Sequence, residues 1–236
     1  MNTFSIKAAL AVAWRTLEEK PKQLILASVI LGVFQVAFET LFPPVTDGSQ
    51  AFSSYGLVTL ISVILWSLVS VYILTVLSWS LRRGYPLLSS AHWKVHLLPM
   101  FLVMTFLFYL GTLAGVLALL IPGLVFFAAY SMTIYVMVDK EVGVIKSFRE
   151  SAHLTKGSRW KILALALGTM LAVTVTLFLC GVVIDAVQGL FAFVAPRVIV
   201  TFLTYTVYTL VGLTLCVASA DAYLQLSGRS ASDSGQ

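Results

Sequence analysis

The chain reads as an all-α, polytopic membrane protein with six transmembrane helices, and three observations carry that reading. Hydrophobic residues make up 59% of the 236 positions and charged residues 11%, whereas a soluble domain needs roughly 25% charged residues to keep its surface wet. Six apolar blocks approach or exceed the ~20 helical residues that cross a hydrocarbon core. The few cations sit between these blocks, almost all on one side.

The N-terminal segment, 1–22, is amphipathic. Ile6, Leu10, Ala13, Trp14 and Leu17 recur at helical spacing, Lys7, Arg15 and Glu18 lie elsewhere around the turn, and Pro21 precedes the first apolar block. That block, 23–42, has full membrane length, and "FQVAFETLFPP" offers no small-residue cleavage pattern, so it reads as a retained span and not a signal peptide. The other spans are 57–81, 97–120, 124–138, 162–187 and 198–224. The fourth is short and borrows residues from "LLIPG", a tight turn that makes spans three and four a hairpin. Gly111 and Gly115 form a G-x-x-x-G that lets backbones approach, here expected to pack neighbouring helices of one chain. One membrane domain thus covers 1–226, and the polar tail, 227–236, has the composition of a disordered segment.

Orientation follows from the cations, because translocating lysine and arginine is disfavoured. With the N-terminus inside, the inner segments hold Lys7, Arg15, Lys20, Lys22, Arg82, Arg83, Lys94, Lys140, Lys146, Arg149, Lys156, Arg159, Lys161 and Arg229. Only Arg197, of the 15 cations, falls outside. Both termini are expected in the cytoplasm.

The cytoplasmic loop 139–161 is the most basic stretch. Val144, Ile145, Phe148 and Ala152 fall on one helical face, Lys146 and Glu150 are spaced to pair, and Gly157 is placed to stop the helix. An amphipathic helix in the headgroup layer fits this pattern. Without gaps, "IKAALAVAWRTLEEKPKQL" and "IKSFRESAHLTKGSRWKIL" match at Ile6 and Ile145, Lys7 and Lys146, Ala13 and Ala152, Thr16 and Thr155, Lys22 and Lys161, and Leu24 and Leu163. A weaker third copy lies in "GYPLLSSAHWKVHLL". The chain can be divided into three units, each an amphipathic segment and a membrane hairpin, although the orientation rule alone also generates basic segments before spans.

The run from Ile121 to Leu163 resembles the signature region of the YciC-type bacterial membrane proteins and of the related membrane domain attached to some glycerophosphoryl diester phosphodiesterases. The residues that carry the likeness are Ile121, Pro122, Gly123, Asp139, Ser151, Leu154, Thr155, Lys156, Gly157, Trp160 and Lys161. The resemblance implies a six-helix inner-membrane protein and brings no catalytic residues with it. The phosphodiesterase barrel, with its H-R-G and acidic metal ligands, has no counterpart in this sequence.

Chemistry-bearing residues are few. His92 and His96 are four apart and His153 lies in another inner loop, but no H-E-x-x-H supports a metal site, and the expectation is polar side chains at a headgroup interface, with no metal or cofactor. Serines and threonines inside the spans have no histidine or lysine at membrane depth to activate them. Cys180 and Cys216 fall near opposite faces and should not pair. Intramembrane charges mark an ion or substrate path by default, but Glu39 and Asp185 lie near the outer ends of their spans and Asp221 near an inner end, where each can reach water or headgroups. A structural role at the interface is therefore expected ahead of a polar site at Glu39 and Asp185.

The expectation is therefore a non-enzymatic membrane protein. Lys7, Arg15, Arg82, Arg83, Lys94, Lys146, Arg149, Lys156, Arg159 and Lys161 would contact anionic lipid, and the helical body would serve membrane organisation or a protein partner. A small transporter or channel with a polar path near Glu39 and Asp185 is the alternative, and a membrane enzyme acting on lipid is the third. The cations follow topology and form no separate basic domain, so nucleic acid is not an expected partner.

Overall fold

A computed structural model of the chain describes residues 4–42, 54–84, 95–118, 120–191 and 197–228. These residues form α1 (Ile6–Glu19), α2 (Pro21–Leu41), α3 (Ser54–Arg83), α4 (Leu98–Ala118), α5 (Leu120–Tyr130), α6 (Thr133–Lys140), α7 (Val144–Leu154), α8 (Arg159–Phe191) and α9 (Arg197–Ser227). Six stretches are long and apolar enough to cross a membrane: Pro21–Leu41, Leu57–Arg83, Leu98–Leu117, Ile121–Lys140, Arg159–Thr176 and Phe202–Ser227. The protein is a multi-pass, all-helical membrane protein. Residues 85–94, which hold most of the third copy of the apparent repeat and Lys94, and the C-terminal tail from 229 lie outside the described residues.

Local chemistry sets the helix ends. The Ser5 hydroxyl accepts from the Ala8 amide to cap α1, and Pro21 opens α2 where a missing N–H costs nothing. Gly157, with φ of 89°, turns the chain after α7 as expected.

Packing centres on α9, which touches α1, α2, α3 and α8. Tyr223, Leu213, Val217 and Ala218 of α9 are fully buried. By contrast, Phe178, Met170 and Leu171 of α8 and Phe106 and Leu113 of α4 point outward, a belt of apolar surface suited to lipid chains. The third and fourth spans form the expected hairpin through close backbone contact. A Cβ on Gly115 would lie 2.8 Å from the Gly123 Cα, and the Phe126 ring fills the notch at Gly111.

The fourth span differs from the sequence reading, because it is broken. Ser131 and Met132 interrupt it between α5 and α6, and the last carbonyls of a helix have no partner further along the chain. Inside a bilayer such groups must be satisfied by protein. Hydroxyls do this here: Ser131 donates to the Ala128 carbonyl at 3.2 Å and Thr133 to the Tyr130 carbonyl at 2.7 Å. The Ala129 carbonyl accepts from both Ser151 at 3.0 Å and Thr155 at 3.1 Å, and both donors belong to the α7 region.

This requirement rotates α7 relative to the expected face. Ser147, Ser151 and Thr155 are fully buried, Val144 and Phe148 pack at the margin of the core, and Ile145 is 78% exposed. The sequence reading grouped Ile145 with the inward residues because apolar periodicity does not register a stripe of small hydroxyls that must reach a carbonyl. In α1, likewise, Ala9, Ala13 and Thr16 are buried, whereas Leu10 and Trp14 face outward. The aligned Thr16 and Thr155 are both buried but bond differently, Thr16 to its own helix at Val12 and Thr155 across to Ala129. The expected Lys146 and Glu150 pair is replaced by one between Lys140 and Glu150.

Because two hydroxyls share one acceptor, removing either leaves the other in place. Ser151→Ala or Thr155→Val alone should cost under ~0.5 kcal/mol, whereas the double variant should lose about 1–2 kcal/mol, more than the sum. Equilibrium unfolding of the four proteins in mixed micelles measures this coupling directly.

Candidate functional site

Two regions gather the polar residues of an otherwise apolar molecule, one at each end of the helical body. At the basic end, α3 finishes with Arg82 and Arg83. The Arg82 guanidinium donates to Asp221 of α9 at 2.7 Å, and Gln225 donates to the other oxygen of the same carboxylate at 2.7 Å. Arg83 pairs with Asp139 of α6 at 3.4 Å and lies 4.6 Å over the Trp79 ring. The Tyr223 hydroxyl donates to Asp139 at 2.6 Å, while its ring stacks on Tyr135 and meets Trp79 edge-on. Three spans are thereby tied together by one ionic and aromatic network.

The same end holds the N-terminal segment in place. Lys161 donates to the Phe4 carbonyl at 3.1 Å, Gln225 accepts from the Ser5 amide at 3.0 Å, and Phe4 itself is buried. Lys20 donates at 3.1 Å to the Leu81 carbonyl in the last turn of α3, where a cation is favoured by the helix dipole. Of the cations expected at headgroups, Arg82 and Arg83 thus face carboxylates inside the protein, and Lys161 is tethered to Phe4. Arg159 is half-buried.

Lys7, Arg15, Lys146, Arg149 and Lys156 are exposed, and among the described residues none of them enters an ion pair. They share this end with outward-facing Trp14, Ile145 and Trp160, which are 62%, 78% and 74% exposed. His96 approaches Glu141 at 4.0 Å and is exposed, His153 is exposed on α7, and His92 lies outside the described residues. Among the described residues, no three histidine, cysteine or acidic side chains come together as a metal site.

Toward the opposite end, α2, α3 and α9 line a partly open cavity of about 480 Å³. It extends from Phe42, at the end of α2, to Leu31 and Leu74, about 16 Å of helical rise. Leu31 and Leu74 belong to an apolar cluster with Leu24, Leu77, Leu213 and Val217, which closes the cavity toward the basic end. Glu39 lines it and accepts a hydrogen bond from the Tyr205 hydroxyl. Gln35, one turn deeper, accepts from the Trp66 indole at 2.5 Å, and Phe38 stacks on Trp66 at 5.0 Å between ring centres. Thr209 donates to the Ser28 carbonyl at 3.2 Å and ties α9 to α2.

Glu39 therefore lies in a defined cavity, whereas the side chain of Asp185, on α8, lies outside the described residues. Gln35 escaped the sequence reading although it is four residues from Glu39, and so did Tyr205 and Tyr208, which share a helical face with Thr209, one of the sixth-span threonines expected beside Glu39. Those spacings were the available signal.

No protein-family profile matches the chain, and neither curated proteins nor solved structures match it. The resemblance to YciC-type proteins accordingly rests on the quoted residues alone.

The ion pairs make an asymmetric prediction. Asp221 is almost fully buried, whereas the Arg82 side chain is 21% exposed and has a route to water. Arg82→Ala strands a buried carboxylate and should cost on the order of 3 kcal/mol, more than Asp221→Asn, which leaves a cation able to turn outward. Thermal unfolding of both variants in the same detergent should rank them in that order.

Proposed function

We propose that the protein is a non-catalytic inner-membrane protein whose basic end rests on the cytoplasmic leaflet and engages anionic lipid. The observation that carries this reading is that Lys7 and Arg15 of α1, Lys146 and Arg149 of α7 and the following Lys156 are exposed and, among the described residues, outside any ion pair, at the end that also holds outward-facing Trp14, Ile145 and Trp160. Cations there meet lipid phosphates, each contributing about 1 kcal/mol near a charged leaflet. The apolar side chains enter the headgroup and acyl boundary, where tryptophan is favoured. Both termini then lie in the cytoplasm. Membership of the YciC-type group fits the same reading, as does a protein partner docking on this face.

The structural fixing of α1 and α7 supports it further. A helix held against α9 or the fourth span presents its cations in a set arrangement, so less ordering entropy is lost when lipid binds. Transport through a polar path is the second reading, favoured by the cavity at Glu39. Leu31 and Leu74 line its deep end and belong to an apolar cluster with Leu77, so a polar path continuing in that direction would have to cross the cluster.

Replacing Lys146, Arg149 and Lys156 together by glutamine tests the proposal. In native mass spectrometry from a neutral detergent, the parent should retain phosphatidylglycerol over phosphatidylcholine. The variant should lose that preference several-fold with its melting temperature unchanged. Equal retention by both proteins would count against lipid engagement by this face.

A further inference from the structure

The Glu39 cavity has features that the basic end does not explain. A carboxylate within a span is costly unless something at that depth compensates it. The carboxylates near the basic end, Asp139 and Asp221, each have an arginine. Glu39 does not: among the described residues no lysine, arginine or histidine lies within ion-pair distance of it. Its hydrogen-bond partner there is the neutral Tyr205 hydroxyl. Among the described residues, the cavity offers a negative charge with no matching positive one.

The walls narrow the identity of the missing partner. Phe38, Phe42, Trp66, Tyr205 and Tyr208 line the cavity beside Glu39. Aromatic rings attract cations through their negative faces, and several rings around one carboxylate form the environment that recognises ammonium groups carrying carbon substituents. An inorganic cation would instead need several oxygen ligands, and among the described residues no acidic cluster supplies them. The volume, about 480 Å³, falls in the range of sites for small organic molecules. The apolar floor at Leu31 and Leu74 can cover an uncharged portion of the ligand.

We infer that the cavity between α2, α3 and α9 binds an organic ammonium compound, with Glu39 as counter-charge, the aromatic side chains as a cage, and an apolar portion directed toward Leu31 and Leu74. The ammonium can belong to a free amine or to a lipid headgroup, since both present the same chemistry. This inference is independent of lipid engagement at the basic end, because the two regions share no residue.

The test uses the full chain in neutral maltoside micelles and benzyltrimethylammonium as probe, with neopentylbenzene as its uncharged carbon isostere. Calorimetric titration against empty micelles should show the cation binding at least about tenfold more tightly than the isostere, and Glu39→Gln should abolish that preference while the melting temperature is retained. The isostere pair on the parent protein decides the matter even if the variant fails to fold. Displacement by phosphatidylethanolamine, but not phosphatidylglycerol, would assign the ammonium to a lipid headgroup; lack of displacement by either would assign it to a free amine. Equal affinity for cation and isostere, or a preference that survives Glu39→Gln, would overturn the inference.

Discussion

The organisation of this protein depends on one constraint: inside a bilayer, no backbone carbonyl and no charge can rely on water. The break in the fourth span brings that constraint into view. Once the helix stops at Tyr130, the Ala129 carbonyl needs a donor, and Ser151 and Thr155 provide two. To deliver them, α7 must lie against the fourth span with its smallest residues inward. The most basic loop in the chain therefore becomes part of the helical body, and Ile145 and the cationic residues of α7 are left facing outward. The ion pairs of Arg82 and Arg83 extend the same rule to charges, joining the ends of α3, α6 and α9.

Much of the fold was legible from apolar length alone. The first span, expected at 23–42, is helical over Pro21–Leu41, and the third and fourth spans close as a hairpin through Gly115 and Gly123, although 120–123, read as turn, is the first turn of α5. Length and hydropathy report how a helix meets lipid, and they report it well for these spans. They are silent on how helices meet each other. Ser131 and Met132 carry no proline or glycine signature, so the break went unread, and with it the reason for Ser147, Ser151 and Thr155 to point inward. Arg82 and Arg83 were grouped with the headgroup cations because a positive charge beside a span serves orientation equally well whether it faces phosphate or aspartate.

The candidate sites divide in the same way. Glu39 stood out from the sequence as a charge within a span, but its neighbours come from its own helix, from α3 and from the distant α9, and only their packing makes a cavity. The basic end was legible as charge, whereas which cations remain available depended on which carboxylates fold against them. Sequence thus located the two polar ends of the molecule, and tertiary contacts determined which residues at each end are left to act. At one end these are cations beside tryptophan, and at the other a carboxylate beside aromatic rings.

Hydrogen exchange of the α7 amides in the membrane-embedded protein tests most directly whether this loop helix is built into the body. If the Ala129 carbonyl holds it there, the amides of 147–155 will exchange far more slowly than those of an unstructured peptide, and the Ser151→Ala, Thr155→Val double variant will speed exchange in α7 and α6 together. Rapid exchange in α7 of the parent protein, with α6 remaining protected in both proteins, would contradict it and return α7 to the status of a helix resting loosely on the headgroups.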